Sequence, residues 1–347
     1  MVSTKAPGTE DDRLDAALRR KESAFHRLVE SHRAEFHAHC YRMLGSLHDA
    51  EDALQDALLR AWRGLPNFDG RSSLRTWLYR IATNACLDIL ARRPKRVLPL
   101  DYGPPRDPAS GESDAPVMND IWIEPYPDGE LGLEDGYSVP EARYEQREAV
   151  ELAFVAALQH LPVRQRAVLI LREVLGFSAK EVASLLDATP TSVHSTLQRA
   201  RRTAEERLPD RSQQATLRSL GDKRQRSIVE RFVKAFEDGD VKAILAMLVD
   251  DVNFAMPPYP DWCRGREAVG RSWLMPGGPP PRLRYVPTRA NGQLAVGTYG
   301  LDQDGGRYVP LALDVLTLRA DGQITDVFAF RTPDVFGSFG LPAELPA

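Results

Sequence analysis

The chain has 347 residues, of which 43% are hydrophobic and 27% are charged. This length predicts two or three domains of the usual ~150 residues, and the composition excludes a chain that is disordered throughout. No apolar run approaches the ~18 residues of a membrane span, and the polar residues 1–12 do not predict a signal peptide. Three widely spaced cysteines favour neither a disulfide framework nor a zinc site, so we expect a cytoplasmic protein without a cofactor or a metal.

The net charge of −4 hides two segments of opposite sign. Residues 71–96 carry seven basic side chains and one acid, whereas residues 101–145 carry twelve acids and two arginines. The basic segment predicts an anionic partner. The acidic segment that follows predicts a stretch that repels this partner or mimics it.

Apolar residues at helical spacing predict three helices between residues 22 and 93, and Pro94 ends the third. Four acids lie at the start of the second helix (49–56), where the helix dipole stabilises them and where they also suit docking of a basic partner helix. The third helix interleaves arginines with Trp77 and Tyr79. This pattern fits either an apolar core with a solvated basic face or a groove for single-stranded nucleic acid, with the polar loop 67–73 holding an extruded base.

Residues 96–140 lack periodicity and are rich in proline, glycine and acids, which predicts a long linker. One island interrupts it, because residues 121–128 read Ile-Trp-Ile-Glu-Pro-Tyr-Pro-Asp. A disordered linker rarely concentrates Trp, Tyr and two Ile in this way. The island is either a short strand that packs on its own domain or, as we favour, a docking peptide for another domain.

Residues 141–208 again show helical spacing and contain two short helices joined by a tight turn, which is typical of a helix-turn-helix. A capping box at Ser178 and Glu181 starts the first helix, and Thr189 before Pro190 starts the second. If the second helix enters the major groove, its exposed side chains read bases, since Gln pairs with adenine and Arg with guanine. The same side chains also fit the solvated face of an ordinary bundle helix.

Residues 222–340 predict helices followed by strands, which is the pattern of an α+β domain. An amphipathic helix begins at Arg226, and a short second helix (241–248) follows it. Two later strands (311–318 and 324–330) are joined by an Asp-Gly turn. The first of these strands alternates imperfectly, so we expect both of its faces to be partly covered.

Two parts of this sequence resemble the extracytoplasmic-function (ECF) sigma factors of bacterial RNA polymerase. Residues 49–62 (beginning Asp-Ala-Glu-Asp-Ala-Leu-Gln-Asp) and 68–84 (beginning Phe-Asp-Gly-Arg-Ser-Ser-Leu-Arg-Thr-Trp-Leu-Tyr-Arg) resemble their region 2, and residues 161–202 resemble their region 4. The resemblance implies that region 2 (20–95) binds the clamp helices of the largest polymerase subunit and melts the −10 promoter element. It implies that region 4 (141–208) grips the flap of the second-largest subunit and reads the duplex −35 element.

The resemblance, together with the basic residues of 71–96 and the exposed face of the second helix of the helix-turn-helix, assigns three sets of site residues. The polymerase-binding set is Asp49, Glu51, Asp52, Gln55 and Asp56. The −10 DNA-binding set is Asn67, Arg71, Ser73, Arg75, Arg80, Asn84, Lys95 and Arg96. The −35 DNA-binding set is Ser192, His194, Ser195, Gln198, Arg199 and Arg202.

The C-terminal part (222–340) resembles the SnoaL/NTF2-like fold, in which two helices precede a curved sheet that forms a cone with a pocket. In subgroups of ECF sigma factors, such a fused domain regulates the sigma core in cis. The island resembles the linker motif of that subgroup, and residues 304–307 (Asp-Gly-Gly-Arg) resemble a glycine-rich motif linked to the same contact. The resulting interdomain regulatory set is Trp122, Glu124, Tyr126, Asp128, Asp304, Gly305, Gly306 and Arg307.

We therefore expect a multidomain protein with two all-α helical domains and an α+β NTF2-like cone domain. Its expected function is that of a sigma factor that brings RNA polymerase core to −35/−10 promoters and is regulated in cis, with a small ligand in the cone as a further candidate partner. The alternatives are a helix-turn-helix regulator with a ligand-sensing domain and a SnoaL-type enzyme fused to a DNA-binding adaptor. No histidine follows His194, which excludes a histidine base in the cone, and we expect no enzymatic activity.

Overall fold

The computed structural model describes residues 25, 29–30, 32–107, 115–118, 121–131, 147–273, 282–302 and 305–347. Asp304 and much of the predicted linker lie outside these ranges. In the described part of the chain, no helix is long and apolar enough to cross a membrane.

The first helical unit contains, within the described residues, the three helices α1 (Arg33–Leu44), α2 (Leu47–Gly64) and α3 (Leu74–Leu90). Serines fix two of the helix starts, because Ser46 and Ser73 each accept a hydrogen bond from the backbone N–H three residues further on. The apolar faces of the three helices pack against one another. The three helices predicted from the sequence are thus confirmed.

The described linker residues pack against both neighbouring domains. A one-turn helix α4 (Pro99–Tyr102) follows α3. Val97 and Trp122 then form a parallel bridge, and Pro127 forms an antiparallel bridge with Ala290 of the C-terminal domain. The island also packs on the first helical unit, since the ring centres of Tyr41 and Tyr126 lie 4.3 Å apart. It therefore lies between two domains, as a docking peptide does. Short 3-10 turns lie at Leu65–Asn67, Asp128–Leu131 and Pro333–Phe339.

The second helical unit consists of α5 (Leu152–Gln159), α6 (Val163–Leu169), α7 (Ala179–Leu185) and α8 (Pro190–Glu205). α6 continues into a π-helical turn over Ile170–Val174. The predicted capping box of α7 and the predicted threonine cap of α8 are both present. α7 and α8 form the predicted helix-turn-helix.

The C-terminal domain begins with a longer helix than its sequence predicted. Its helices are α9 (Gln213–Glu237), α10 (Val241–Ala246) and α11 (Arg266–Trp273). The helix expected to start at Arg226 starts at Gln213, because the serine before it caps the chain there. Gly221, with φ 71° and ψ 159°, bends α9 so that both halves bury apolar residues.

The sheet of the C-terminal domain is mixed. Among the described residues its strands are β1 (Leu248–Ala255), β2 (Trp262–Arg264), β3 (Leu283–Ala290), β4 (Gln293–Leu301), β5 (Arg307–Leu318), β6 (Ile324–Phe330) and β7 (Leu345–Pro346). Their order is β2-β1-β6-β5-β4-β3, with β7 beside β5. β1 runs parallel to β6, and the other pairs are antiparallel.

The described residues form two apolar cores. One runs from the first helical unit through the island and the second helical unit to one face of the sheet. The other lies between α9 and the opposite face of the sheet. Both faces of β5 are therefore covered, which explains its imperfect alternation. The C-terminal domain shares an apolar core with the helical units and is not connected to them by a flexible linker alone.

A buried acid in the second core gives a test of this packing. Asp314 is 7% exposed, and burial raises the pKa of its carboxyl from 3.8 to about 6, although Thr298 Oγ1 donates a hydrogen bond to it at 2.7 Å. Such a carboxyl binds its proton more tightly in the folded state, so folding loses stability as the pH rises between the unfolded and folded pKa values.

We predict that Asp314→Asn stabilises the protein at pH 8, by up to about 3 kcal/mol, because the neutral amide removes the buried charge and still accepts from Thr298. At pH 4 the carboxyl of the folded wild type is protonated, so the gain should nearly vanish. Urea unfolding at the two pH values measures both quantities. An equal gain at pH 4 and pH 8 would contradict the burial of an ionisable carboxyl.

Candidate interfaces with DNA, polymerase and the linker

The outer face of α8 carries the predicted −35 set. Its six residues are all exposed, whereas Val193, Leu197 and Ala200 on the opposite face are buried. Local hydrogen bonds order this face, since Ser195 Oγ donates to the backbone oxygen of Ser192 at 3.0 Å. The structure therefore brings the −35 set together on one open helix face.

The predicted −10 set divides into three groups in the structure. The first group comprises Asn67, Arg71, Ser73 and Asn84, of which Asn67 and Asn84 line an open pocket of about 310 Å³ together with Trp77. Ser73 is used as the cap of α3, and Arg71 is exposed and pairs with Asp69.

The second group of the −10 set faces the second helical unit. The guanidinium of Arg75 lies 4.8 Å from the ring centre of Phe177, and Arg80 pairs with Asp187 at 3.1 Å. Tyr79, between them, makes an edge-to-face contact with Phe177. The helix-turn-helix thus contacts both arginines, whose side chains remain 40% and 45% exposed.

The third group contains Lys95, which is exposed, and Arg96, which is buried. Arg96 is 5% exposed, and its guanidinium donates to Asp49 Oδ2 at 2.7 Å and to the backbone oxygen of Trp122 at 2.6 Å. Lys95 Nζ lies 2.8 Å from His160 Nδ1. In this arrangement the expectation that Arg96 contacts DNA is wrong, because its charge is neutralised inside the protein.

The predicted polymerase-binding set also divides. Asp49 is 3% exposed and is paired with Arg93 as well as with Arg96, so it faces inward. Glu51 pairs with Arg33 at 2.6 Å. The other three residues of the set lie on the outer side of α2: Asp52 and Gln55, which are exposed, and Asp56, which is half-buried and pairs with Arg60.

The island caps the helix that carries this set. One carboxylate oxygen of Glu124 accepts hydrogen bonds from the backbone N–H groups of Leu47 at 2.8 Å and His48 at 3.3 Å. The backbone N–H of Glu124 donates to the carbonyl oxygen of Gly45 at 2.9 Å. A carboxylate at the first turn of a helix is stabilised by the helix dipole and by the unpaired N–H groups there. The island therefore holds the turn between α1 and α2.

The contact between the island and the C-terminal domain centres on Asn291. Its side-chain oxygen accepts from the backbone N–H of Tyr126 at 2.9 Å, and its own N–H donates to the Tyr126 carbonyl at 2.7 Å. Its side-chain nitrogen donates to Tyr41 Oη at 2.8 Å and to the carbonyl of Val150 at 2.7 Å. Asn291 thereby joins the island, the first helical unit and the residues just before α5.

Asn291 and Gly292 form the tip of the hairpin between β3 and β4, and both have left-handed backbone angles (φ 54° and 68°). Asn-Gly is the sequence that favours such two-residue turns. Asp128 Oδ1 accepts from the Gly292 N–H at 2.7 Å, and its other oxygen lies 3.5 Å from Arg289. Sequence reasoning missed this hairpin tip, although the Asn-Gly pair signals a turn.

The glycine-rich loop expected at this contact lies elsewhere. Gly305, Gly306 and Arg307 are exposed, and Arg307 pairs with Glu344 at 2.7 Å and with Asp302 at 3.5 Å. Among the described residues, no hydrogen bond or ion pair joins any of these three residues to the island. The expectation that Gly305, Gly306 and Arg307 contact the linker is therefore wrong. The hairpin tip at Asn291 and Gly292 makes this contact instead.

The linker has a second contact with the C-terminal domain, at Trp262. The indole N–H of Trp262 donates to the carbonyl of Gly103 at 2.8 Å, and its own carbonyl accepts from the Arg106 N–H at 2.7 Å. The Val117 N–H donates to the carbonyl of Pro258 at 2.9 Å. Within the described part of the linker, the C-terminal domain therefore holds it at two separate places.

Comparison with known proteins agrees with this architecture. Three family models match: Sigma-70 region 2 over residues 28–96, Sigma-70, region 4 over residues 151–203, and a SnoaL-like domain over residues 229–327. The ECF RNA polymerase sigma factor SigG of Mycobacterium tuberculosis is 40% identical over 319 residues, which are 91% of this chain and 84% of that protein. The ECF RNA polymerase sigma factor SigW of Bacillus subtilis is 27% identical over 199 residues, 57% of this chain and 96% of that protein.

Among solved structures, the extracytoplasmic function sigma factor SigJ of Mycobacterium tuberculosis has the same fold. It covers 91% of this chain and 99% of its own, with a TM-score of 0.56 at 21% identity. Fold and matches together define a sigma-70-type protein with regions 2 and 4 and a C-terminal SnoaL-like domain.

The chain belongs to the ECF RNA polymerase sigma factors, as its resemblance predicted. It binds RNA polymerase core and promoter DNA and directs the initiation of transcription. The match to region 2 overturns the alternative of a plain helix-turn-helix regulator.

Proposed function

We propose that the C-terminal domain keeps this sigma factor closed by holding the island against both helical units. The closed arrangement is the one described above, with α7 on α3 and the hairpin tip on the island. The observation that carries the proposal is the set of hydrogen bonds of Asn291, a fully buried side chain that joins three parts of the chain.

In the closed arrangement, protein contacts engage the −10 face of α3, whereas the −35 face of α8 is free. Arg75 and Arg80 are engaged by Phe177 and Asp187, so melted −10 DNA must compete with these contacts for the two arginines. The −35 face of α8 is exposed in the same arrangement. The proposed sign of regulation is therefore inhibitory, and release of the island allows opening.

In the open form, we assign the two DNA surfaces the roles that their chemistry suits. Basic side chains neutralise phosphates and supply affinity that depends on salt, while a few polar side chains select bases. The amide groups of Asn67 and Asn84 line a pocket that suits an extruded −10 base. Gln198 and Arg199 on α8 have the donors and acceptors to read the −35 duplex.

Polymerase contacts are assigned in the same way. Asp52 and Gln55 are the exposed members of the polymerase-binding set on α2, so we assign them the contact with the clamp helices of the largest subunit, and the second helical unit the contact with the flap. The proposal gives the C-terminal domain a structural task and no reaction, and it places the protein where polymerase acts, in the cytoplasm.

We predict that Asn84→Ala weakens capture of the melted −10 strand, because the pocket loses one of its two amides. Binding of a fluorescent single-stranded −10 oligonucleotide by the sigma–core complex should fall about tenfold, which is ~1.4 kcal/mol. Asn253→Ala is the matched control, since Asn253 lies in the C-terminal domain and pairs with Asp326 at 2.8 Å. Equal affinity for wild type and Asn84→Ala would remove Asn84 from the −10 site.

We predict that Asn291→Ala opens the protein, because it leaves several buried polar partners unpaired, each at a cost of about 1–3 kcal/mol. Transcription in vitro with core polymerase should rise, and small-angle scattering should show a larger particle. Asn253→Ala, which removes an asparagine of the same domain away from the hairpin tip, should change neither. Lower transcription from an expanded Asn291→Ala protein would show that the closed arrangement activates.

A further inference from the structure

A cluster of titratable side chains joins the linker to both helical units, through contacts in which the island takes no part. It consists of Lys95, Asp101, His160 and Arg207, and we call it the junction cluster. Lys95 follows α3 of the first helical unit, and Asp101 lies in α4 of the linker. His160 directly follows α5, and Arg207 follows α8, so both belong to the second helical unit. Separation of the two helical units therefore takes the junction cluster apart.

His160 lies at the centre of the junction cluster, and its side chain is only 13% exposed. Lys95 Nζ lies 2.8 Å from His160 Nδ1, and Asp101 Oδ1 lies 3.1 Å from His160 Nε2. Arg207 Nη1 lies 3.3 Å from the same Nε2 and 3.6 Å from Asp101 Oδ1. The buried guanidinium of Arg166 donates to the backbone carbonyl groups on either side of His160. Among the described residues, three cations and one carboxylate thus surround this ring.

These contacts decide which nitrogen of His160 carries the proton. An ammonium group has only N–H donors, so Nδ1 must accept the hydrogen bond from Lys95 and is unprotonated. The neutral ring then has its proton on Nε2, which donates to Asp101. Arg207 is a second donor beside Nε2, so its charge is balanced by Asp101 and not by the imidazole. A second proton on the ring would remove the acceptor for Lys95 and place two cations 2.8 Å apart.

The surroundings of His160 also oppose its protonation energetically. Partial burial lowers the pKa of His160 below its ordinary value of 6.5; Asp101 acts against this shift, and Lys95 and Arg207 add to it. In an opened protein the ring regains water and its ordinary pKa of about 6.5. The open form therefore binds this proton more tightly, and the population shifts toward it as the pH falls below 6.5.

We propose that the junction cluster is an acid-sensitive clasp, which holds the two helical units together at neutral pH and releases them on acidification. Histidine is the side chain whose charge changes in this pH range, and it serves such switches where protonation separates an interface. The effect on transcription rests on the closed, inhibited state proposed above, whereas acid-linked opening itself does not.

Hydrogen exchange of the full-length protein measures this opening. The backbone N–H groups of Tyr126 and Asn291 bond to each other's residue across the contact between island and hairpin tip, so their exchange reports its opening. His160→Gln keeps a donor and an acceptor but does not titrate. The ratio of the wild-type exchange rate to that of His160→Gln, taken at the same pH, should rise up to about tenfold between pH 7.5 and pH 5.5.

Three further histidine and lysine comparisons make this ratio specific. His37 contacts Tyr126 of the island and titrates as well, but the comparison with His160→Gln at each pH removes its contribution. His32→Gln is the matched control, because His32 precedes α1 and takes no part in the junction cluster. It should exchange like wild type at both pH values. Lys95→Met should reduce the rise, because Nδ1 of His160 is then free to bind a proton.

A nuclear magnetic resonance titration of the His160 ring is an independent measurement that does not depend on opening. Its pKa should lie below 6.5 in wild type and closer to 6.5 in Lys95→Met. A pKa at or above 6.5 in wild type, or an exchange ratio that does not change with pH, would overturn the clasp. If acid opens the protein but transcription with core polymerase falls, the clasp stands and the inhibitory sign of the closed state is refuted.

Discussion

The closed arrangement of this sigma factor depends on one buried amide, the side chain of Asn291. Each of its hydrogen bonds is worth only about 0.5–1.5 kcal/mol, but losing the amide leaves partners in three parts of the chain without water or protein to replace it. The left-handed turn at Asn291 and Gly292 presents the amide at the tip of a rigid hairpin. A small polar side chain on a stiff support thus fixes the arrangement of three domains.

A second set of contacts, which involves charged side chains, connects the island to the helix that is proposed to bind polymerase. Arg96 links Asp49 on α2 to the island, and Glu124 of the island caps the start of α2. The helix proposed to bind polymerase (α2) and the island proposed to inhibit the protein are therefore joined by hydrogen bonds. If polymerase and the island compete for this region, each lowers the affinity of the other by the same factor, because coupling between binding events is reciprocal.

Local sequence patterns predicted much of this structure. The features that were missed depend on contacts between residues that are far apart in the sequence. Helical spacing and capping residues such as Ser178 placed the helices, and the aromatic residues of the island indicated a docking peptide. Asn291 and Tyr126 are 165 residues apart, so no local pattern signals their contact. Asp49 and Arg96 were assigned to partner-binding sets from the resemblance and the charge pattern, but the two neutralise each other in the interior. Local sequence does not show such a pairing, because the two residues are 47 positions apart.

The asymmetry of closure has a consequence for the order of promoter binding. The −35 face of α8 is exposed in the closed protein, while Arg75 and Arg80 of the −10 face are engaged by Phe177 and Asp187. The exposed Arg80–Asp187 pair contributes at most ~1 kcal/mol, so this contact is weak compared with the buried contacts of the hairpin tip. Opening must also break the apolar core that the two helical units share and the buried hydrogen bonds of Gln159 and Arg166 to the carbonyl groups at the end of α1. The −10 face is therefore freed completely only after the hairpin tip, the island and this shared core have separated.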